Sequence, residues 1–343
     1  MTLIIKTLEK SGHEEWNQYL LNHDQSTICH LAEWETVLRE VCKYPTYYFY
    51  AMENNHICGV LPLANVGTLL FGNTLVSTPC CVYGGVCADN MEIKKSLEQK
   101  AIEVAESLNV NYLELRQLQQ PDSDSWPCKR IYYTFRKNID ADPEVNLQMV
   151  PRKQRAMIRK GIKANLYSVV DNNIDRFYSI YSTSVRNLGS PVQSRKYFQT
   201  LYDSFNGQCD ILTVEKDGRP ISSVFSFYYR ETVLPYYGGG LPEARQYKAY
   251  DFMYWELMRR SCEKGIRQFD FGRSIEGSGS FDFKKNWGFQ PEPLYYRQYL
   301  VKARQTPDFN PDNPRYRFYV NLWKYLPLPV ANRLGPVISR GLV

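Results

Sequence analysis

Histidine is scarce in this chain. Four occur in 343 residues, His13, His23, His30 and His56, all within the first 56 positions. The second half has none, which excludes a histidine-dependent triad or a histidine-ligated metal built wholly from that half. Catalysis there would fall to carboxylates, lysine, arginine, tyrosine or backbone groups. His30, just ahead of a helix expected over Leu31–Val41, reads as a helix-start hydrogen-bond partner, with reach into a cleft as the less favoured alternative. Cysteine is plentiful but unpatterned: the nine make no C-x-x-C and Cys80 and Cys81 are adjacent, so neither a metal spacing nor a disulfide framework emerges. Scattered thiols with apolar flanks fit a reducing compartment, and a cytoplasmic location is expected. Hydrophobic residues make up 43% of the chain. No apolar run reaches bilayer-spanning length, so no transmembrane helix is expected. MTLIIKTLEKSG has neither a charged region ahead of an apolar core nor a small-residue cleavage site, and reads as a first strand rather than a secretory signal.

Acid is missing from one stretch above all. Pro151–Lys163 (PRKQRAMIRKGIK) holds Arg152, Lys153, Arg155, Arg159, Lys160 and Lys163 with no Asp or Glu, and these bases equal the whole net charge of +6. The charge is therefore local. Arg152, Arg155 and Arg159 share one helical face, Ile158 and Ile162 another.

The densest signals run from Tyr236 to Leu300: YYGGG, a polar loop, an amphipathic helix, RQFDFGRS, SGSFDFKKNWGF and the alternating strand LYYRQYL. Three glycines ending a β-rich run mark backbone that bends or approaches a neighbour closely. The order β–glycine–helix–β occurs earlier as well, in VYGGV (82–86), helix 91–108 and NYLELRQ (111–117). Tyr83-Gly84-Gly85 aligns with Tyr237-Gly238-Gly239, and Arg116 with Arg273. A hairpin precedes each copy, turning at Asn54-Asn55 and at Asp217-Gly218, residues that tolerate the positive φ of tight turns. A tandem repeat follows.

Length allows one or two domains with sizeable cores. Each half reads as strand, two helices, hairpin, third strand, helix, strand and final strand, the order of a GNAT-type acyltransferase domain. The expected fold is α/β (α+β), two tandem GNAT-like domains, each a mixed central sheet with helices on both faces. Expected boundaries are 1–140 for the first domain, 141–165 for a linker and the basic helix, 166–302 for the second domain, and 303–343 for a basic-aromatic tail. In the first half a long β run is expected over Thr68–Val86; in the second, a turn carries the aromatic–lysine segment. The tail either packs back on the body or lies on a membrane surface, with Trp323, Tyr325 and Leu326 as anchors and Arg315, Arg317 and Lys324 as charge.

The stretches GVLPL (59–63), LFGNTLVSTP (70–79), YGGV (83–86), YLELR (112–116), PRKQRAMIRKG (151–161), FDFGRS (269–274), FKKNWG (283–288) and WKYLPLPVANRLGP (323–336) together resemble the FemAB-like proteins, most closely the FemAB-type proteins associated with PEP-CTERM/exosortase and exopolysaccharide systems. The resemblance covers nearly the whole chain. It implies transfer of an acyl or aminoacyl group to an amine of a cell-envelope or exopolysaccharide-related acceptor. In the peptidoglycan-bridge members the donor is an aminoacyl-tRNA and the acceptor a cell-wall precursor. Phe283-Lys284 matches the family's Phe-Lys, whose lysine serves the reacting centre or a phosphate. The chain has no inserted helical arm, and LPEARQYKAYD lacks the R/Q-x-x-G-x-G/A pyrophosphate loop of ordinary GNAT enzymes, so the donor stays open between aminoacyl-tRNA and acyl-CoA. No tightly bound cofactor and no metal are expected.

Amide formation needs a neutral amine, a polarised carbonyl and a place for the developing oxyanion. The expected catalytic residues are Lys284, for an oxyanion or phosphate, Asp270, to orient or accept a proton, and Arg273, for a polar substrate. Tyr237, Gly238, Gly239 and Gly240 would face the donor carbonyl, with Lys285 nearby. Arg152, Arg155, Arg159 and Lys160 would bind the phosphates of an envelope precursor, a nucleotide- or lipid-linked sugar, or tRNA; anionic lipid and a merely solvated helix face are the other readings. The competing reading of the whole chain is a degenerate GNAT-like module that docks envelope-biosynthesis partners. A filled cleft between the glycine and lysine segments would favour it.

Overall fold

The structure is a computed structural model that describes residues 3–68, 72–121, 126–305 and 314–341. In chain order its strands are β1 (Ile4–Thr7), β2 (Thr46–Glu53), β3 (His56–Thr68), β4 (Gly72–Ser77), β5 (Cys87–Ala88), β6 (Tyr112–Gln117), β7 (Cys128–Lys129), β8 (Tyr132–Asn138), β9 (Leu166–Asp171), β10 (Cys209–Lys216), β11 (Arg219–Tyr229), β12 (Thr232–Gly240), β13 (Gln268–Asp270), β14 (Ser274–Ile275), β15 (Pro291–Pro293) and β16 (Tyr295–Leu300). The helices are α1 (His13–Leu21), α2 (Glu33–Val37), α3 (Met91–Ser107), α4 (Pro143–Met149), α5 (Arg152–Lys163), α6 (Ile174–Leu188), α7 (Arg195–Ser204), α8 (Ala249–Glu263), α9 (Gly279–Asn286), α10 (Pro314–Lys324) and α11 (Leu328–Ser339).

The chain forms two units. The first comprises the described parts of Met1–Tyr132, Pro293–Phe309 and Arg340–Val343; the second, those of Tyr133–Glu292 and Asn310–Ser339. Their sheets repeat one plan. The first runs β1-β2-β3-β4-β6-β16-β7, and the second, read from its matching edge, β9-β10-β11-β12-β13-β8-β14. In both, three antiparallel ladders are followed by a parallel one, β4–β6 and β12–β13, and then an antiparallel one, β6–β16 and β13–β8.

Each sheet is completed by a strand from the other half of the sequence. β8 pairs with β13 through Gln268↔Asn138, Phe269↔Lys137 and Asp270↔Arg136. β16 pairs with β6 from Tyr295↔Gln117 to Leu300↔Tyr112. Boundaries at 140 and 302 therefore assign each closing strand to the wrong unit. Alternation along a segment identifies a strand, but its ladder partner lies far away in sequence. Of residues 141–165, the expected basic helix is α5, but the stretch ahead of it is the helix α4 rather than a linker. α4 is capped by Asp142, and its buried Asn146 donates to Cys262 Sγ on α8, 3.2 Å away.

In the first unit Tyr48 stacks on Trp16 at 5.4 Å. The adjacent Phe49 joins the cluster of Leu61, Leu75, Leu113 and the α3 residues Ile93, Leu97 and Ala101. Adjacent strand residues face opposite sides, so helices cover both faces. Asn90 caps α3, accepting from the backbone N–H of Glu92 and Ile93 at 3.0 Å. The expected β run to Val86 ends early: β4 stops at Ser77, and Thr78 and Cys80 turn the chain out of the sheet at φ of 43° and 69°. Residues 69–71 of that run lie outside the described residues.

In the second unit α5 lies on α8 through Gln154, Ile158 and Gly161, all buried. A Cβ on Gly161 would stand 2.8 Å from Phe252 Cβ, so only glycine permits this approach. α6, capped by Asn173 and ended by Gly189 at φ 86°, covers the other face with α7. The described tail residues pack on α6: a Cβ on Gly189 would sit 2.5 Å from Val320 O, and Arg186 donates to Leu326 O at 3.1 Å.

Candidate active site

β12 carries the centre of the site. Its ladder with β11 shifts register between Phe225 and Ser226, pairing Phe225 with Tyr237 and Ser226 with Pro235, so Tyr236 is bulged out. On the other side, pairing with β13 covers only Thr232↔Gln268 and Val233↔Phe269. Beyond Val233 that edge of β12 has no strand partner among the described residues. Leu241 donates to Ile221 O at 2.8 Å. By antiparallel alternation Tyr237 and Gly239 then face β11, while Gly238 and Gly240 present their backbone groups to the open edge.

The three glycines also thin both faces of the sheet. A Cβ on Gly238 would lie 2.7 Å from Tyr254 Oη, one on Gly239 3.0 Å from Ser184 Cβ, and one on Gly240 2.9 Å from Tyr250 Cζ. α8 thus presses Tyr250 and Tyr254 against one face and α6 presses against the other. The Tyr237 hydroxyl meets that of Tyr197 at 2.8 Å, and its ring packs on Phe198 and Tyr181.

β13 ends at Asp270, which is buried. Its Oδ1 accepts from Thr134 Oγ1 at 3.1 Å and from the Gly272 N–H at 2.8 Å. Gly272 turns the chain at φ 66°. The expected turn carrying the aromatic–lysine segment is the helix α9, started by Ser278 accepting from the Phe281 N–H and followed by Gly288 at φ 82°. From it Lys284 Nζ reaches back, donating to Gly272 O at 2.9 Å and Arg273 O at 3.0 Å, above the Phe135 ring. Only 8% of Lys284 is exposed. Burial pushes its pKa down to about 7, against the attraction of Asp270 and with the repulsion of Arg273. Arg273 is half-buried and Lys285 exposed, its Nζ 5.6 Å from the centre of the Phe281 ring.

Tyr254 links the two segments. Its hydroxyl stands over Gly238, and its ring packs on Phe271 at 5.0 Å and Phe283 at 5.7 Å. Asp251, one helical turn back on α8, makes a second junction. Its Oδ1 accepts from Gln154 Nε2 of α5 at 2.8 Å and from Trp287 Nε1, just past α9, at 3.2 Å. Burial raises the Asp251 pKa, against those two donors and Lys248. The opposite face of α5 bears Arg152, Arg159 and Lys160, exposed, and Arg155, half-buried. None of the four forms an ion pair among the described residues.

Of the expected residues, Asp270, Arg273 and Lys284 meet at one turn and Tyr237–Gly240 form one strand end. Arg152, Arg155, Arg159 and Lys160 share the exposed side of α5. Asp270 is committed to Thr134 and the Gly272 turn, which suits it to orienting that turn rather than taking a substrate proton. Tyr254, Asp251, Gln154 and Thr134 were not foreseen. The i, i+4 spacing of Tyr250 and Tyr254 directly after the glycine strand was the available signal.

The first unit places its glycines differently. Thr74↔Tyr112 begins its parallel ladder as Thr232↔Gln268 begins the other. In that frame Glu114 matches Asp270, but Gly84 lies beyond the end of β4, where a Cβ would meet Ser77 O at 2.9 Å. The sheets repeat; the glycine pairs do not superpose, because Thr78 and Cys80 take the first one out of the strand. Glu114 instead pairs with the buried Arg116 at 3.0 Å, whose Nη1 donates to Cys81 O at 2.7 Å. A cavity of about 220 Å³ is lined by His30, Tyr83, Gly84, Asn90, Lys94 and Gln117 among others. His30 Nδ1 accepts from the Thr27 N–H at 3.1 Å, a helix-start bond, but one that caps the single turn Ile28–His30 and not the helix expected after it, and burial pushes its pKa down to about 4.

Residues 152–285 match the acetyltransferase (GNAT) domain family. No curated protein matches the chain by sequence. Among solved structures the chain is similar to FemX, with TM-score 0.68 and 13% identity over 87% of this chain and 98% of that one. It is also similar to a tandem GNAT protein from the clavulanic acid biosynthesis pathway, with TM-score 0.54 and 13% identity over 90% and 100%. L-PGS from Bacillus licheniformis gives TM-score 0.52 and 11% identity over 88% and 95%. At these identities the likeness is one of fold. The fold is mixed α/β, two GNAT-like domains in tandem. Among the described residues no helix is long and apolar enough to cross a membrane, and no group of three His, Cys, Asp or Glu is placed to hold a metal ion.

Proposed function

We propose that the second unit is an N-acyltransferase, moving an acyl or aminoacyl group from a phosphate-bearing carrier to an amine of a cell-envelope or exopolysaccharide-related acceptor. The observation that carries this reading is the open edge of β12 at Gly238 and Gly240, inside a GNAT-matching segment, with a buried lysine poised near neutrality at the tip of the neighbouring strand. The donor carbonyl would lie against the edge N–H groups, where they can hold its developing negative charge. The acceptor nitrogen would form the amide bond as the carrier's C–O or C–S bond breaks. The carrier would leave as an alcohol or thiol, with the proton the amine gives up.

Lys284 suits that proton. In its neutral form both N–H bonds are used by the carbonyls of Gly272 and Arg273, which leaves the lone pair as base. Of the two roles expected of Asp270, orienting or accepting a proton, this leaves it the first. Arg273 would hold a polar part of the substrate. Arg152, Arg155, Arg159 and Lys160 would take phosphates, which an aminoacyl-tRNA, an acyl-CoA and a phosphorylated acceptor all carry. The test is transfer from radiolabelled aminoacyl-tRNA and acyl-CoA donors to phosphorylated envelope precursors, run beside Lys284→Ala. Transfer that survives the substitution at full rate puts the chemistry elsewhere.

One observation favours a second reading. Tyr254 fills the space beside Gly238 and so stands between the glycine and lysine segments. A non-catalytic module that binds phosphorylated precursors through α5 fits that filling, and precursor binding with no transfer from any donor would support it.

A further inference from the structure

The packing of α10 and α11 on α6 leaves an apolar surface that the transfer chemistry does not use. Phe318, Tyr319 and Leu322 lie on α10 and Tyr325 directly follows its last residue; Phe318, Leu322 and Tyr325 are spaced i, i+4 and i+7, and Phe318, Tyr319, Leu322 and Tyr325 are 68%, 67%, 54% and 86% exposed. On α11, Val330, Leu334 and Val337 repeat the spacing at 42%, 45% and 68%. The opposite sides are engaged. Ala331, Gly335 and Ser339 are buried, a Cβ on Gly335 would lie 2.7 Å from Val192 O, and Ser339 Oγ donates to Gln193 Oε1 at 3.0 Å. Helices held by one face thus turn an ordered apolar stripe to solvent, the usual mark of an interaction surface.

Charge identifies the partner. After Asp312 the sequence has no acid, yet it holds Arg315, Arg317, Lys324, Arg333 and Arg340. Lys324 and Arg333 are exposed on the same helices as the stripes. A second copy would bring two basic, acid-free faces together, which like-charge repulsion opposes. A surface of anionic headgroups over acyl chains satisfies both the charge and the apolar residues. We propose that α10 and α11 dock this protein peripherally on anionic lipid. The docking residues differ from those expected: Tyr325 is among them, but Trp323 and Leu326 are half-buried, and the Trp323 Nε1 is buried without a partner among the described residues.

The test uses the full chain and floats it with phosphatidylcholine vesicles with and without phosphatidylglycerol. The protein should float with the anionic vesicles only, and less as salt rises. Leu322→Glu, Val337→Glu and Arg333→Glu, one exposed position at a time, should each weaken binding about tenfold or more. Unchanged thermal melting of each variant, and the placement of two of them on the second helix, separate lost docking from lost fold. Flotation that is absent, or equal in all variants, overturns the proposal. So does a dimer in solution that these substitutions disperse, since the stripe would then be a self-interface.

Discussion

Lys284 donates its ammonium to the carbonyl oxygen of Gly272, 2.9 Å away and twelve residues earlier in the chain. The bond ties α9 to the turn that ends β13. It also holds a titratable group out of water, and that has a consequence for stability. The folded pKa is near 7 against a usual 10.5. Below 7 both folded and unfolded chains carry the proton, and the cost of burying the charge is fully present. Between about 7 and 10.5 the unfolded chain binds more protons, so this group's contribution to stability rises with pH across that window. Urea unfolding at pH values on either side of 7 should show wild type gaining on Lys284→Met as pH increases. A constant difference between the two would mean that the lysine titrates normally.

Gly238→Ala should destabilise the second unit by about 1–3 kcal/mol, because the new methyl meets the Tyr254 hydroxyl inside packed rings. Adding Tyr254→Phe removes the opposing oxygen and should recover much of the loss. A double-mutant cycle read by thermal unfolding checks this; strict additivity would show that the two sites do not touch.

Asp251 holds α5 and the segment after α9 through one oxygen. Asp251→Ala would leave the Gln154 and Trp287 donors without that acceptor, at a cost of about 1–3 kcal/mol for a buried donor. Unfolding with a cost near zero would mean that both donors find other partners.

Charge reversal of Arg155 and Arg159 should weaken binding of phosphorylated precursors and tRNA and flatten the dependence of affinity on salt. Isothermal titration at several salt concentrations measures both. An unchanged slope would remove α5 from the binding surface.

Local signals were legible in the sequence. Asn54 and Asn55, and Asp217 and Gly218, do turn their hairpins at positive φ; α3, α6 and α7 start at the caps Asn90, Asn173 and Ser194, and α8 ends ahead of Gly265. α9 was readable too, since Ser278 caps it and Gly288 follows it, but the aromatics around Lys284 read as a turn. What could not be read was non-local. Nothing in β8 or β16 alone says that its partner is β13 or β6. Matching letters pair the glycines of the two halves, whereas the ladders set the frame at Thr74 and Thr232. The site was legible as residue types, but the roles of Asp270, bound within its own turn, and Tyr254, standing over Gly238, depend on packing across elements.

The pH dependence of single-turnover amide formation, once a donor is found, tests the central claim most directly. If Lys284 accepts the proton, the rate should rise through about pH 7 in wild type. Lys284→Ala should lower the rate by about two orders of magnitude and remove that limb, and Lys284→Arg, which keeps donors and charge but cannot release its proton, should not restore it. A wild-type profile flat through neutrality, or Lys284→Ala at full rate with the same limb, would contradict the account.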